Sequence, residues 1–183
     1  SDFKNEILLA VPSIYFGFAA NIIQKENEIL NKGFFKKIKQ IFVSKREIKI
    51  GTQDIFWAEE GAYTGKFGAG MLKSVNANFT IVGHSETRES EENRKGYSNE
   101  EINKKIINLV KNNLNFILCV GEHKRDLDYD YKAEITEQLK VNLAGITKDD
   151  LKNITIAYEP VWAIGKNAIR VATNEEIKET IDF

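Results

Sequence analysis

Phe116-Ile117-Leu118-Cys119-Val120-Gly121-Glu122 opens with five apolar residues in succession. A strand with one wet face alternates apolar and polar side chains, whereas an unbroken apolar run fits a strand covered on both faces. Four further short runs share this character: Ile7-Leu8-Leu9-Ala10-Val11, Ile48-Lys49-Ile50-Gly51, Phe79-Thr80-Ile81-Val82-Gly83 and Ile154-Thr155-Ile156-Ala157-Tyr158. Helical patterns lie between them. Residues 98–113 begin with Ser98 and Glu101 in capping-box spacing and put Ile102, Ile106, Leu109 and Val110 on one face. Residues 130–144 repeat the pattern with Ile135, Leu139 and Leu143, and Thr173 with Glu176 opens a final helix. Strand–helix alternation predicts an α/β fold with a parallel sheet built from βαβ units. Periodicity alone does not separate a closed barrel from an open doubly wound sheet. No G-x-G-x-x-G follows the first run, which counts against the dinucleotide-binding version of the latter.

The composition, 42% hydrophobic and 29% charged over 183 residues, is that of one globular domain. A net charge of -1 gives no field that gathers nucleic acid or anionic lipid. One cysteine, Cys119, cannot form an intramolecular disulfide, and two histidines with it offer no zinc spacing. No apolar run approaches the ~20 residues of a membrane span, and Ser1-Asp2-Phe3 opens no signal peptide. The expectation is a soluble cytoplasmic domain without nucleic-acid or membrane partners, metal or cofactor. Residues 24–46 depart from the short-connection rule. They are rich in Lys and carry Phe34, Phe35, Ile38, Ile41 and Phe42, the pattern of an extra surface helix packing its aromatic side on the scaffold.

Active-site groups of parallel α/β proteins gather beyond the carboxyl ends of the strands. The third run ends Gly83-His84-Ser85-Glu86, the fourth Gly121-Glu122 and the fifth Tyr158-Glu159-Pro160-Val161-Trp162. An imidazole and two carboxylates therefore leave one sheet on the same face, from different strands. Pro160 stiffens the backbone after Glu159, and Val161 with Trp162 can shield it; a carboxylate withdrawn from water is a stronger base. His84 sits where the amino end of the next helix disfavours an imidazolium, which leaves a neutral ring able to donate to a carbonyl oxygen. A base and a neutral donor are what proton abstraction next to a carbonyl requires.

These residues resemble a known family. Gly83-His84-Ser85-Glu86-Thr87-Arg88 is similar to the histidine motif of triosephosphate isomerases, and Ala157-Tyr158-Glu159-Pro160-Val161-Trp162-Ala163-Ile164-Gly165 to their catalytic glutamate and flexible lid. Ala10-Val11-Pro12, Gly61-Ala62-Tyr63-Thr64-Gly65, Met71-Leu72, Ile81-Val82-Gly83 and Ile117-Leu118-Cys119-Val120-Gly121-Glu122 match in the same order. The resemblance implies a (β/α) TIM barrel that interconverts glyceraldehyde 3-phosphate and dihydroxyacetone phosphate through an enediolate, without cofactor or metal. It also implies the family's mechanism of a glutamate base, a neutral histidine and a closing loop. Glu159 would shuttle the proton, His84 would polarise the carbonyl, and Gly165 would offer its amide to the phosphate under a lid of residues 160–171. Glu86 would have a supporting role. Thr64 would lie in the loop that plugs into a neighbouring subunit, which implies a homodimer.

The same comparison shows departures. The chain is expected to be a single partial barrel domain over 1–183, corresponding to strands two to six of eight, with an insertion at 24–46. The family's first strand, bearing an Asn and a catalytic Lys, and its phosphate-binding last strands have no counterpart here, so weakened catalysis is expected of this chain. Thr87 replaces a usual second Arg, Tyr97 a usual acidic residue, residues 89–96 read as an insertion, and the lid tip is about two residues longer. Five strands cannot close an eight-stranded barrel, so the runs at Ile7 and Ile154 are expected to be sheet edges. The rival reading is a degenerate barrel relative serving as a non-catalytic binding or assembly module.

Overall fold

The structure is a computed structural model that describes residues 7–31, 48–59, 61–90, 95–126, 128–165 and 168–183. Five strands form one sheet: β1 (Ile7–Val11), β2 (Ile48–Thr52), β3 (Phe79–Val82), β4 (Asn115–Val120) and β5 (Ile154–Tyr158). Each strand pairs in parallel with its neighbour in the sequence, in the order β1-β2-β3-β4-β5. A doubly wound sheet reverses its strand order at a switch point. Here the order runs one way throughout, as it does around a (β/α) barrel. The five strands make a partial barrel, with β1 and β5 as its edges.

Burial follows strand position. Phe116, Leu118, Cys119 and Val120 of the interior strand β4 are buried, whereas Ile7, Leu8 and Leu9 of β1 and Ile156 of β5 are exposed. The helices are α1 (Phe16–Asn31), α2 (Ala69–Ser74), α3 (Ser85–Arg88), α4 (Asn99–Lys111), α5 (Tyr131–Asn142) and α6 (Asn174–Asp182). The predicted capping boxes close α4 at Ser98 and Glu101 and α6 at Thr173 and Glu176. In α4, Ile102, Ile106 and Leu109 are fully buried and form the core with Ile50, Val82, Phe116 and Leu118. Helix α1 buries Phe16 and Ile23 and runs to Asn31, so residues 24–31 of the expected insertion are its second half. The remainder, with its aromatic residues, lies outside the described residues, as do residues 91–94.

Two polar features interrupt this core. Lys105, on the apolar face of α4, is fully buried; its Nζ lies 2.7 and 2.9 Å from the Asp54 carboxylate oxygens and 3.3 Å from the centre of the Tyr97 ring. Burial lowers the ammonium's pKa, and Asp54 opposes that shift. Asn142, at the end of α5, is equally buried, and neither polar atom of its side chain has a partner among the described residues. Unpaired buried amides are costly, so Asn142→Leu is expected to raise the unfolding free energy by about 1 kcal/mol. Urea denaturation measures this, and a loss of stability would mean that the amide is satisfied.

Candidate active site

Gly83 ends β3 with φ +70, a left-handed turn that favours glycine, and so delivers His84 to the amino end of α3. The Glu86 N–H donates to His84 Nδ1 over 3.3 Å. A ring nitrogen that accepts carries no proton, so these partners assign the proton to Nε2. That nitrogen lies 3.3 Å from Oε1 of Glu159, which follows β5. The second oxygen, Oε2, accepts the Ser85 N–H at 3.0 Å. Thus β3 and β5, which do not pair with one another, bring His84 and Glu159 into contact across the end of β4. The histidine is 35% exposed and the glutamate 15%. The two side chains therefore meet beyond the strand ends, partly shielded from solvent, which is the juxtaposition the sequence implied.

β4 provides the floor. The Glu159 N–H donates to Val120 O at 2.8 Å, and Cys119 pairs in register with Ala157. Burial, followed by the charge of the neighbouring Glu159 carboxylate, pushes the Cys119 thiol well above its ordinary range, so it stays protonated. Arg88 ties the floor to the histidine turn. Its Nε donates to Gly83 O at 2.6 Å, its Nη2 to Cys119 O at 2.9 Å and its Nη1 to Asn99 Oδ1 at 2.6 Å. Burial brings this guanidinium down to about 10, and it remains charged at neutral pH.

The loop after Glu159 is anchored separately. Pro160 leads into a turn at Val161–Ala163, and Trp162 is buried. Oε1 of Glu122 accepts both the Trp162 Nε1–H and the Tyr158 hydroxyl at 2.8 Å, while the Val161 N–H donates to Glu122 O at 3.0 Å. Glu122, read from sequence as a second carboxylate at the strand ends, is committed to this anchor. Gly165 is exposed with φ +69, again a left-handed position. Lys166 and Asn167 lie outside the described residues.

The remaining residues singled out in the sequence stand apart. The Glu86 side chain is largely exposed, and its backbone amide rather than its carboxylate holds the imidazole at hydrogen-bond distance. Thr64 is exposed in the Gly61–Gly65 turn, beside the aromatic cluster of Phe56, Trp57 and Tyr63, and no described contact joins it to His84 or Glu159. Two site-supporting residues escaped the sequence reading: Arg88, whose partner Cys119 O comes within reach only through the pairing of β3 with β4, and Gln138, which brackets Gly121 only because α5 packs beside the end of β4. Among the described residues, no helix is long and apolar enough to cross a membrane, and no group of three or more His, Cys, Asp or Glu side chains could hold a metal ion.

Sequentially ordered parallel strands with side chains meeting beyond their carboxyl ends define the class of (β/α)-barrel proteins. Sequence comparison narrows the class. The family model described as triosephosphate isomerase matches residues 13–183. Triosephosphate isomerase of Thermoanaerobacter sp. (strain X514) is 41% identical over 134 residues, covering 72% of this chain and 52% of that protein. The triosephosphate isomerase of Dictyoglomus turgidum is 40% identical over 156 residues, covering 77% of this chain and 60% of its own length. That of Dictyoglomus thermophilum is 45% identical over 119 residues, 64% of this chain and 46% of its own. The chain belongs to the triosephosphate isomerase family. It spans about half the length of the curated relatives it matches.

Proposed function

We propose that this chain carries the base and the carbonyl-polarising donor of an isomerase that interconverts glyceraldehyde 3-phosphate and dihydroxyacetone phosphate. The observation that carries the reading is the 3.3 Å approach of His84 Nε2 to Glu159 Oε1, with the ring proton directed there by the Glu86 amide. In the reaction, Glu159 leaves the Ser85 amide and the imidazole, removes a proton from the carbon beside the substrate carbonyl, and returns it to the neighbouring carbon. The His84 Nε2–H donates to the oxygen that becomes negative in the enediolate, where a positioned donor lowers the barrier most. Cys119 and Arg88 hold the floor on which the two side chains stand. Gly165 is assigned to the substrate phosphate, Glu86 to support of His84, and Thr64 to a homodimer contact. The compartment proposed is the cytoplasm, and the reaction needs no cofactor.

The family's Lys and its phosphate-binding segments have no counterpart in the motifs matched here, so turnover is expected at least about tenfold below that of full-length relatives, since electrostatic groups of this kind contribute several kcal/mol. Purified protein is assayed for conversion of glyceraldehyde 3-phosphate in the presence of a chelator, alongside His84→Gln. Turnover that His84→Gln lowers supports the reading. Absence of turnover that persists when the full gene is expressed returns the chain to the binding-module alternative.

A further inference from the structure

Arg170 lies in the returning limb of the loop after β5, half exposed, yet besides a bond from Nη1 to the adjacent Val171 O at 3.3 Å it makes three contacts beyond its own neighbour. Its Nη1 and Nη2 fork onto the Glu176 carboxylate of α6 at 2.9 and 2.6 Å. Its guanidinium carbon lies 4.4 Å from the centre of the Trp162 ring, which belongs to the outgoing limb. Beside it, the Ile169 N–H donates to Trp162 O at 2.8 Å. Trp162 in turn is held by Glu122 at the end of β4. The guanidinium thus caps the indole from one side while a barrel carboxylate holds its edge.

Glu176 is well suited to keep the fork. The Arg170 bonds first, and the Thr173 N–H second, hold its carboxyl down to about 2, so it is charged throughout the neutral range. A planar fork that also stacks is specific to arginine; lysine keeps the charge but offers neither geometry.

We infer that Arg170 is a positioning residue that joins the two limbs of this loop into one body, so that Trp162 and the Gly165 turn keep a fixed relation above Glu159. It touches no reacting atom. Its effect on the reaction passes through Trp162, and in that respect the inference rests on the proposed isomerase reading. A loop whose limbs are joined moves as a unit about its ends; one whose limbs are separate samples many arrangements in which the glycine amide is misplaced.

The test uses Trp57→Phe, which leaves Trp162 as the sole tryptophan. Adding Arg170→Ala is expected to raise acrylamide quenching of Trp162 roughly twofold, since a stacked guanidinium shields the ring face. Arg170→Lys recovers only part of the protection. The thermal midpoint moves by no more than about 2 °C, because a half-exposed ion pair contributes little to stability. Unchanged quenching, or full recovery with lysine, overturns the inference. In the isomerase assay Arg170→Ala is expected to lower kcat about fivefold with a smaller change in KM, and an unaltered kcat likewise overturns it. Absence of turnover from the unsubstituted chain, persisting when the full gene is expressed, would instead remove the proposed reaction, and the quenching measurement would still decide the role of Arg170.

Discussion

Glu159→Gln is expected to lower kcat by about 10²–10⁴-fold, the usual contribution of a positioned general base, with KM changed far less. The substitution is informative because it is nearly isosteric. A glutamine oxygen can still accept the Ser85 N–H that Oε2 now accepts, and the backbone bond from Glu159 N–H to Val120 O is untouched. The fold and the substrate space are therefore retained while the basic lone pair is lost. Glu159→Asp makes the complementary change, keeping the charge but drawing it back by one methylene; displacement of a reacting group by about 1 Å can cost about 10²-fold. On the proposed reading Glu159 and His84 act on the same three-carbon unit, so the double variant with His84→Gln should lose much less than the product of the single losses. Turnover of Glu159→Gln at the parent rate would take the base role away from this residue.

How much of this was legible beforehand depends on the range of the interactions involved. The apolar run of β4 and the capping boxes at Ser98 and Thr173 are local, and the structure places strand and helices there. The choice between barrel and open sheet was not legible from periodicity, because strand order is a property of pairings between residues some 40 positions apart. His84 and Glu159 could be picked out because each stands at the end of its strand. Arg88 could not be given partners, since Cys119 O comes within its reach only through the pairing of β3 with β4. Lys105 did leave a signal. It lies three residues after Ile102 and four before Leu109, inside the stripe that the periodicity marked as core, and a lysine there predicts a buried counter-charge, supplied by Asp54. Glu122 resembled a second reacting carboxylate because position at a strand end says nothing about whether an indole and a phenol already occupy its oxygen.

The approach of β5 to β4 gives the second large effect. A Cβ added to Gly121 would lie 1.7 Å from Glu159 O and 2.5 Å from its carbonyl carbon, well inside contact distance and against backbone rather than a movable side chain. Neither side can give way cheaply. Gln138 clasps Gly121 from behind, accepting its N–H at 3.0 Å and donating to its carbonyl at 2.8 Å, while Glu159 is tied to Val120. The requirement is for space and not for unusual torsion angles, because Gly121 is absent from the residues of positive φ. Gly121→Ala is therefore expected to cost more than about 3 kcal/mol, the upper end for overpacking, and to lower the thermal midpoint by about 6–12 °C in a chain of this size. Whatever fraction folds should carry Glu159 pushed away from His84, so turnover per folded molecule falls as well. Gly70→Ala is the matched control. That glycine lies within α2 with nothing inside 4 Å of the added carbon, and alanine there should stabilise the helix by about 0.5–1 kcal/mol. Equal midpoints for the two alanine variants would mean that β5 does not approach β4 as closely as described, and the contact between Glu159 and His84 would lose its structural basis.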